Sequence, residues 1–234
     1  EWPFIVKLLQ LNASPYCNSQ KIIFEDGAKA PEPNSKTMIA LSPHGILTIG
    51  WMMMISSDEL IPSRCKWLVA EILAKLPFVS DLNTWSNIVS CGKNDMIEYM
   101  SKGINVGLIP GGFEEASIYK YSHNRVYLKT RKGFIKYALQ YGYKVQVCYV
   151  FGEELTYWQL NLPHSIALWL NKYKIPATIF IGKFFFLPNN DIDITVVISK
   201  PIQLPHIESP TNEDVDKYHA IYLKEIEALY ERNK

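Results

Sequence analysis

A histidine in a short turn is the first side chain in the sequence suited to chemistry. His44 belongs to the segment Ser42-Pro43-His44-Gly45, which separates two strongly apolar runs. A neutral imidazole can take the proton from an alcohol while that alcohol attacks a carbonyl carbon. Apolar walls would keep the imidazole neutral, and Pro43 and Gly45 would shape the adjoining binding site. A histidine that only makes a hydrogen bond inside the core is the alternative.

A glycine pair followed by two carboxylates is the second candidate, in the segment Leu108–Glu115. The backbone N–H groups of Gly111 and Gly112 can approach a ligand closely and stabilise a forming oxyanion. Glu114 and Glu115 could orient a histidine or bind an acceptor hydroxyl. An ordinary strand-to-helix turn, with both acids placed favourably for the helix dipole, is the alternative.

Three cations complete the candidate site. Arg131 and Lys132 stand at the start of a predicted helix, where positive charge opposes the helix dipole, and they could hold phosphate groups instead. Lys183 lies inside an apolar run, Thr178–Leu187, and could extend along a membrane or an acyl channel. A solvated helix face and a plain strand end are the alternatives.

The run Thr37–Ile55 is the most apolar stretch and must position the histidine. Its length is compatible with a membrane span. However, Pro43 disfavours helix at the residue before it, and Gly45 loosens the turn. The sequence therefore predicts a buried strand over Met38–Leu41, a sharp turn and then a buried helix.

Strands and helices alternate along the rest of the chain. Further strands are predicted at Lys21–Glu25, Ile104–Ile109, Lys144–Phe151 and Ile192–Ile198, and helices at Trp2–Leu11, Cys65–Leu76, Asp95–Lys102, Arg131–Tyr141 and from Thr211 onward, where Asp214 would complete a capping box. This alternation predicts an α/β fold with a mostly parallel sheet flanked by helices. No repeat, low-complexity segment or linker divides the chain.

Composition excludes several classes of protein. The 234 residues include 24 Lys and Arg against 23 Asp and Glu, so the net charge is +1 and nucleic acid is not expected as a partner. No nucleophile elbow, phosphate-binding loop, dinucleotide fingerprint or zinc-protease motif is present. Four cysteines without metal spacing indicate buried, reduced thiols in an intracellular compartment. Because the sequence begins at Glu1, a processed or partial chain is expected.

Six segments, taken in order, resemble the diacylglycerol and monoacylglycerol acyltransferase family that is unrelated to the multi-spanning O-acyltransferases. The family's HPHG motif is SPHG here, its PGG-x-Q-E motif corresponds to Pro110–Glu115, and RKGF is intact at Arg131–Phe134. The remaining matches are Phe151-Gly152-Glu153, Ser199-Lys200-Pro201-Ile202 and Pro210–His219. The resemblance covers roughly residues 35 to 234, so we expect an N-terminal segment, 1–34, and one glycerolipid-acyltransferase-like domain, 35–234.

The resemblance implies acyl transfer from acyl-CoA, as a co-substrate, to a hydroxyl of diacylglycerol, monoacylglycerol or a long-chain alcohol, without another cofactor or a metal. His44 would be the general base, Glu115 would orient it or the acceptor, and Arg131 and Lys132 would hold coenzyme A phosphates. It also implies an N-terminal hydrophobic hairpin, membrane lipid as a partner and the endoplasmic reticulum as the location, with mitochondrial or other organelle membranes as the alternative.

Departures from the family pattern leave a second function open. Ser42 replaces the first histidine of HPHG, Ile49 stands where related glycerolipid acyltransferases carry an aspartate, and Lys183 replaces an arginine. Gln146 replaces a proline, and the changes at Lys183 and Gln146 are expected to touch the acyl-donor side. The alternative functions are an inactive acyltransferase-fold subunit bound to other subunits of a membrane complex, and a lipid-binding or transfer module.

Overall fold

A computed structural model of the chain describes residues 16–74, 86–161 and 178–234. Its strands are β1 Ser19–Phe24, β2 Thr37–Ser42, β3 Lys66–Val69, β4 Ile88–Ser90, β5 Val106–Leu108, β6 Lys144–Phe151, β7 Trp158–Asn161, β8 Thr178–Ile181 and β9 Asp193–Ile198. Its α-helices are α1 Ile49–Ser56, α2 Glu71–Ala74, α3 Lys93–Ser101, α4 Gly112–Ser117, α5 Gly133–Tyr141 and α6 Asn212–Asn233. Two short 3₁₀ turns lie at Ile61–Ser63 and Glu153–Leu155.

Seven strands form one mixed sheet in the order β1-β9-β6-β2-β5-β3-β4, and β7 and β8 form a separate antiparallel ribbon. The five strands from β6 to β4 are parallel to one another, while β9 runs antiparallel to β6 and carries β1 alongside in parallel. The predicted α/β architecture with a mostly parallel sheet is confirmed. The edge strand β1 lies before residue 35 and belongs to the same sheet.

The apolar run around His44 folds as the sequence predicted. Its first part is β2, buried at all six positions, and its second part is α1, which begins at Ile49. Both faces of β2 are buried because helices cover both sides of a parallel sheet, which explains the continuous apolar run. Within the described residues, no helix is both long enough and apolar enough to span a bilayer.

Most other predicted elements are confirmed, with shifts of a few residues at their ends. Cys65–Leu76 was predicted as a helix, and this prediction is wrong, because Lys66–Val69 is the strand β3 and α2 begins only at Glu71. A short apolar run fits both the helical and the strand periodicity, and the pairing of β3 with β4 and β5 decides in favour of the strand. The helix predicted at Trp2–Leu11 lies outside the described residues.

Two hydrophobic clusters cover the two faces of the sheet. One contains alternate residues of β2, β5 and β6 packed against α3, α5 and α6. The other contains the intervening residues of β2 and β6 with β9 and α1, and includes the edge-to-face pair Trp51 and Trp67, whose ring centroids are 4.9 Å apart. Because β2, β5 and β6 are parallel, the segments that follow them meet at one edge of the sheet.

Candidate active site

His44 lies just beyond the carboxyl end of β2, half-buried, with its imidazole fixed by its own turn. Its Nδ1 is 3.0 Å from the carbonyl oxygen of Gly45. A carbonyl can only accept a hydrogen bond, so Nδ1 carries the proton in the neutral ring and Nε2 carries the lone pair. Burial lowers the pKa of His44 below its ordinary value, which favours the neutral ring near pH 7.

Glu115 holds the backbone of His44 rather than its ring. One carboxylate oxygen accepts from the His44 backbone N–H at 3.0 Å, and the other accepts from the Tyr127 N–H at 2.9 Å. The side chain is buried, and burial raises the pKa of Glu115 to about 7 although both hydrogen bonds oppose the rise. Glu115 is predicted to orient the imidazole or the acceptor, and the group that faces Nδ1 is instead the Gly45 carbonyl.

A second buried carboxylate, Glu153, holds the other end of the same segment. It follows β6 and accepts from the backbone N–H groups of Ile49 at 3.0 Å and Gly50 at 2.9 Å, which are the first two of α1. A Cβ at Gly45 would lie 2.4 Å from Glu153 Oε1, and the φ of Gly45 is +62°. Glycine at 45 therefore serves both the turn and the close approach of this carboxylate.

Ile49 occupies the position at which related glycerolipid acyltransferases carry an aspartate. Its side chain offers no carboxylate, but its N–H is bound by Glu153 from the neighbouring strand. Burial raises the pKa of Glu153 to about 7, against the lowering effect of both backbone hydrogen bonds. The two carboxylates thus fix the start and the end of the turn that carries His44.

A pocket opens beside this turn. Pro43 and Gly45, the two neighbours of His44, line it together with Glu115, Tyr119 and Glu154, while His123 and Arg125 contribute exposed side chains at its rim. The Oε2 atom of Glu154 is buried, and no hydrogen-bond partner satisfies it among the described residues. Burial raises the pKa of this carboxyl. An unpaired carboxylate oxygen therefore lies buried beside the pocket.

The glycine pair after β5 has two separate roles. The N–H of Gly112 donates to the Ile109 carbonyl at 3.2 Å, so it is engaged within the turn. Gly111 gives room to Glu115, since a Cβ at 111 would lie 2.4 Å from the carboxylate of that residue. Of the two amides predicted as oxyanion donors, only that of Gly111 is left as a candidate.

The predicted phosphate-binding cations are both paired with acids. Arg131 forms an ion pair with Glu114 and lies 5.7 Å from the centre of the Tyr127 ring. Lys132 pairs with Asp216 of α6 at 2.6 Å, with both side chains substantially exposed. Arg131 is thereby joined to α4, the helix that carries Glu115, whereas Lys132 points to α6. A phosphate at either cation would compete with an acid.

Two departures from the family pattern lie apart from the histidine. Lys183 is exposed in the turn after β8, where its ammonium donates to the side-chain oxygen of Asn190. Gln146 is buried near the amino end of β6 and donates to the carbonyls of Lys29 and Ser199 at 3.1 and 3.0 Å. Phe151 ends β6 at the site, so Gln146 is about 16 Å away along the strand and does not touch the site.

Four residues of the site were not singled out from the sequence: Tyr119, His123, Arg125 and Glu154. No motif surrounds them, and only the arrangement of the loops after α4 and β6 brings them together. Glu153 was part of a recognised segment without a predicted role. Its position immediately after a buried strand that is parallel to β2 was the signal for it.

The comparisons with known proteins show the family of the chain. The family model described as diacylglycerol acyltransferase matches residues 25–234, so the chain belongs to the diacylglycerol acyltransferase family. Members of this class are O-acyltransferases, and the chain is an enzyme of that type. The match confirms the resemblance that SPHG, Pro110–Glu115 and RKGF indicated.

Three relatives show the extent of the similarity. The chain is 30% identical over 224 residues to diacylglycerol O-acyltransferase 2 of Dictyostelium discoideum, covering 87% of this chain and 67% of that protein. It is 30% identical over 232 residues to the human diacylglycerol O-acyltransferase 2-like protein 6, with 86% and 67% covered. Human acyl-CoA wax alcohol acyltransferase 1 is 26% identical over 221 residues, with 86% and 67% covered.

A solved structure supports the fold. The 1-acyl-sn-glycerophosphate acyltransferase PlsC of Thermotoga maritima superposes with a TM-score of 0.60 over 99% of this chain and 81% of that one, at 16% sequence identity. The glycerolipid-acyltransferase-like fold expected from the sequence is confirmed. None of the comparisons favours the alternative of an inactive structural subunit.

Proposed function

We propose that this enzyme transfers an acyl group from acyl-CoA to the hydroxyl of a neutral lipid, with His44 as the general base. The carrying observation is the neutral, oriented imidazole beside a pocket that holds an unpaired carboxylate oxygen. Relatives named for diacylglycerol and for wax alcohol support diacylglycerol or a long-chain alcohol as the acceptor. Because such acceptors are lipids, we propose that the enzyme acts at a membrane, and that this membrane is the endoplasmic reticulum.

The acceptor hydroxyl loses its proton in the step of nucleophilic attack, and transfer of the acyl group is completed when the intermediate collapses. The acceptor hydroxyl donates its proton to His44 Nε2 as its oxygen attacks the thioester carbonyl carbon, and a C–O bond forms. The tetrahedral intermediate collapses with loss of the thiolate of coenzyme A, which takes the proton back from the imidazolium. The backbone N–H of Gly111 is our candidate for stabilising the oxyanion.

The pocket supplies orientation for the acceptor. Glu154 Oε2 can accept a hydrogen bond from a second hydroxyl or from the attacking one, which places that oxygen beside the turn of His44. Glu115 and Glu153 act through the backbone and keep the turn in place. They are positioning residues, and they contact main-chain atoms rather than the reacting groups.

The test is acyl transfer from labelled oleoyl-CoA to diacylglycerol, monoacylglycerol and a long-chain alcohol, measured in membranes that contain the protein. We expect His44→Ala to lower kcat by a factor of about 10² to 10⁴, the usual contribution of a general base. The matched control is His206→Ala, since His206 is an exposed histidine outside the site whose ring faces the Gln140 carbonyl.

Product formed by the wild type and lost only in His44→Ala would support the mechanism and name the acceptor. Equal activity of wild type and His44→Ala would refute the role of the histidine. A folded wild type that yields no product with any acceptor would point to an acyltransferase fold retained as a scaffold.

A further inference from the structure

The ribbon formed by β7 and β8 exposes an unusual set of apolar side chains. In the turn after β8, Phe184, Phe185 and Phe186 are 71%, 81% and 72% exposed, and on the ribbon Trp158 and Ile179 are 49% and 45% exposed. Large aromatic side chains are rarely left this open without a partner surface. We call these five residues the aromatic ribbon.

The ribbon's pairing places its two strand residues on one face. Leu160 lies directly opposite Ile179, and Trp158 precedes Leu160 by two positions, so Trp158 and Ile179 share a side of the ribbon. The opposite side faces the protein, where the Phe180 ring lies 5.7 Å from that of Tyr119. Among the described residues, Trp158 contacts Tyr121 on this face and stays about half exposed, while the other face packs against the protein.

The turn of three phenylalanines is held by hydrogen bonds, and its backbone conformation is unfavourable for these residues. Phe184 and Phe185 have φ values of +51° and +73°, a region that bulky side chains disfavour by roughly 1 kcal/mol or more each. Main-chain bonds between Gly182 and Phe185 close the turn, and the Tyr157 hydroxyl donates to the Phe186 carbonyl at 3.0 Å. Glycine or asparagine would be the stable choice there, so local backbone preference does not account for the phenylalanines.

The exposed charges near the aromatic ribbon are mostly positive. No Asp or Glu occurs in the sequence from residue 155 to 190, which includes β7, β8 and the turn of three phenylalanines. The exposed turn with Lys120 and Arg125 adjoins the ribbon, since the Tyr121 and Trp158 ring centroids are 6.2 Å apart. Lys183 is exposed beside the three phenylalanines, Asp191 is an exposed acid five residues after Phe186, and Glu154, four residues before Trp158, is partly buried in the pocket.

We propose that the aromatic ribbon docks on an anionic phospholipid bilayer, with Phe184–Phe186 inserted below the headgroups and Lys120, Arg125 and Lys183 at the surface. Aromatic rings partition into the interfacial region, and each cation near an anionic surface adds attraction. Projecting side chains at a turn suit a fluid surface that can close around them. Charge complementarity thus selects a membrane over an uncharged apolar partner.

Docking would bring the pocket to the lipid. Tyr119 lines the pocket, and its hydroxyl is 2.8 Å from the Tyr157 carbonyl and accepts from the Tyr157 N–H at 3.0 Å. Tyr157 precedes Trp158, so the pocket and the aromatic ribbon are joined by direct contacts. This delivery role rests on the proposed function, whereas the docking surface itself does not.

The first experiment measures partitioning of the 234-residue chain into vesicles of phosphatidylcholine alone and of an equimolar mixture with phosphatidylserine. In the variant Phe184→Asn/Phe185→Asn/Phe186→Ser, we expect at least about a tenfold loss of binding, since burial of one Phe alone accounts for that factor. Asparagine tolerates the positive φ, so folding is preserved and is checked by circular dichroism. Ile221→Ser, at a 42% exposed position of α6, is the matched control with unchanged binding.

The second comparison tests the charges. We expect Lys120→Gln/Lys183→Gln to weaken binding to the phosphatidylserine mixture by about fivefold per charge and to leave binding to phosphatidylcholine unchanged. Equal loss on both kinds of vesicle, or loss on neither, would contradict an electrostatic role for these lysines and with it the anionic surface.

The third comparison locates the contact, because another part of the chain can also bind lipid. Cys91 is exposed while Cys17, Cys65 and Cys148 are buried, so an environment-sensitive dye on the wild type reports position 91. The variant Cys91→Ser/Phe185→Cys moves the dye to the turn. A blue shift on vesicles at 185 and none at 91 supports the proposal.

No shift at 185, or a triple variant that binds vesicles like the wild type, overturns it. Loss of self-association in the triple variant without an effect on vesicles would assign the surface to a second copy of the chain and also overturns it. His44→Ala is expected to bind vesicles normally, so failure of the catalytic proposal and failure of the docking proposal are distinguishable.

Discussion

At the scale of single residues, the site is organised by carboxylates that bind backbone rather than by a charged partner of the imidazole. Glu115 is 2% exposed and accepts from two N–H groups, and one of these belongs to His44 itself. An ionised carboxylate can accept both bonds, whereas a protonated one accepts less well at its hydroxyl oxygen. Because burial raises the pKa of Glu115 to about 7, its ability to hold the turn changes within the physiological range.

This coupling predicts the pH dependence of the reaction. We expect the rate to fall as the pH drops through about 7, where Glu115 and Glu153 take up protons, and further as His44 is protonated. In Glu115→Gln, kcat at high pH should fall about tenfold or more, since a hydrogen bond to a charged group is lost. The acid limb should also become shallower, with KM little changed. Initial rates against pH provide the measurement.

The control for Glu115→Gln is Glu208→Gln, which removes an exposed carboxyl group. The control should reproduce the wild-type profile. A Glu115→Gln profile that overlays the wild-type curve after scaling would mean that the carboxyl does not titrate in the active range, and the positioning role would have to be purely steric.

At the scale of elements, the turn of His44 is held between two strands and two helices. Glu153 ties the end of β6 to the first two N–H groups of α1, and Glu115 ties α4 to the end of β2. Negative charge at the start of a helix is favourable, yet full burial opposes it. The ionised form that shapes the site is therefore the form that destabilises the fold.

Stability is accordingly expected to depend on pH through Glu153. Burial raises the pKa of Glu153 from 4.5 to about 7, so its contribution to the free energy of unfolding is fully present below pH 4.5 and is lost as the pH rises through about 7. The loss from this one group is about 3 kcal/mol. Urea unfolding of wild type and Glu153→Gln at acid and alkaline pH should show a smaller decline in the variant.

Glu153→Ala separates ionisation from hydrogen bonding, because it removes the acceptor at every pH. We expect it to be less stable than Glu153→Gln throughout, since two N–H groups of α1, of which that of Gly50 is buried, lose their partner. A decline with pH in Glu153→Gln as large as in the wild type would show that the titration belongs to another group.

At the scale of the whole molecule, one sheet with two apolar faces sets the position of everything else. Residues of β2 alternate between the two hydrophobic clusters, with Met38 and Ala40 on one side and Ile39 and Leu41 on the other. The long helix α6 closes the first cluster, and the Thr211 and Asp214 capping box predicted from the sequence fixes its start. Packing on both faces leaves the carboxyl edge of the strands as the place for the site.

The contribution of α6 to this packing is measurable. Leu229 is fully buried in the first cluster, whereas Ile221 on the same helix is 42% exposed. We expect Leu229→Ala to lower the free energy of unfolding by about 2 to 5 kcal/mol and Ile221→Ala to change it by about 0.5 kcal/mol or less. Similar small effects in both variants would mean that α6 does not belong to the folding unit.

Short-range sequence pattern was enough to predict the secondary structure of the segments that carry the candidate catalytic residues. The apolar runs around Pro43 and Gly45 predicted strand, turn and helix, because proline and glycine restrict the backbone in ways that do not depend on distant contacts. The order of SPHG, the glycine pair and RKGF indicated the acyltransferase family, and the family match confirmed it. Local pattern failed at β3, where pairing with two neighbouring strands outweighed helical spacing.

Only the tertiary structure decided how the site is held. Glu115 reaches His44 across 71 positions and Glu153 reaches Ile49 across 104, and no periodicity in the sequence encodes such contacts. The tertiary structure likewise shows that a carbonyl faces the imidazole, that Gln146 lies away from the site and that three phenylalanines are exposed together. Burial and long-range hydrogen bonds arise when parallel strands bring distant segments to one edge, so they become visible only in the folded chain.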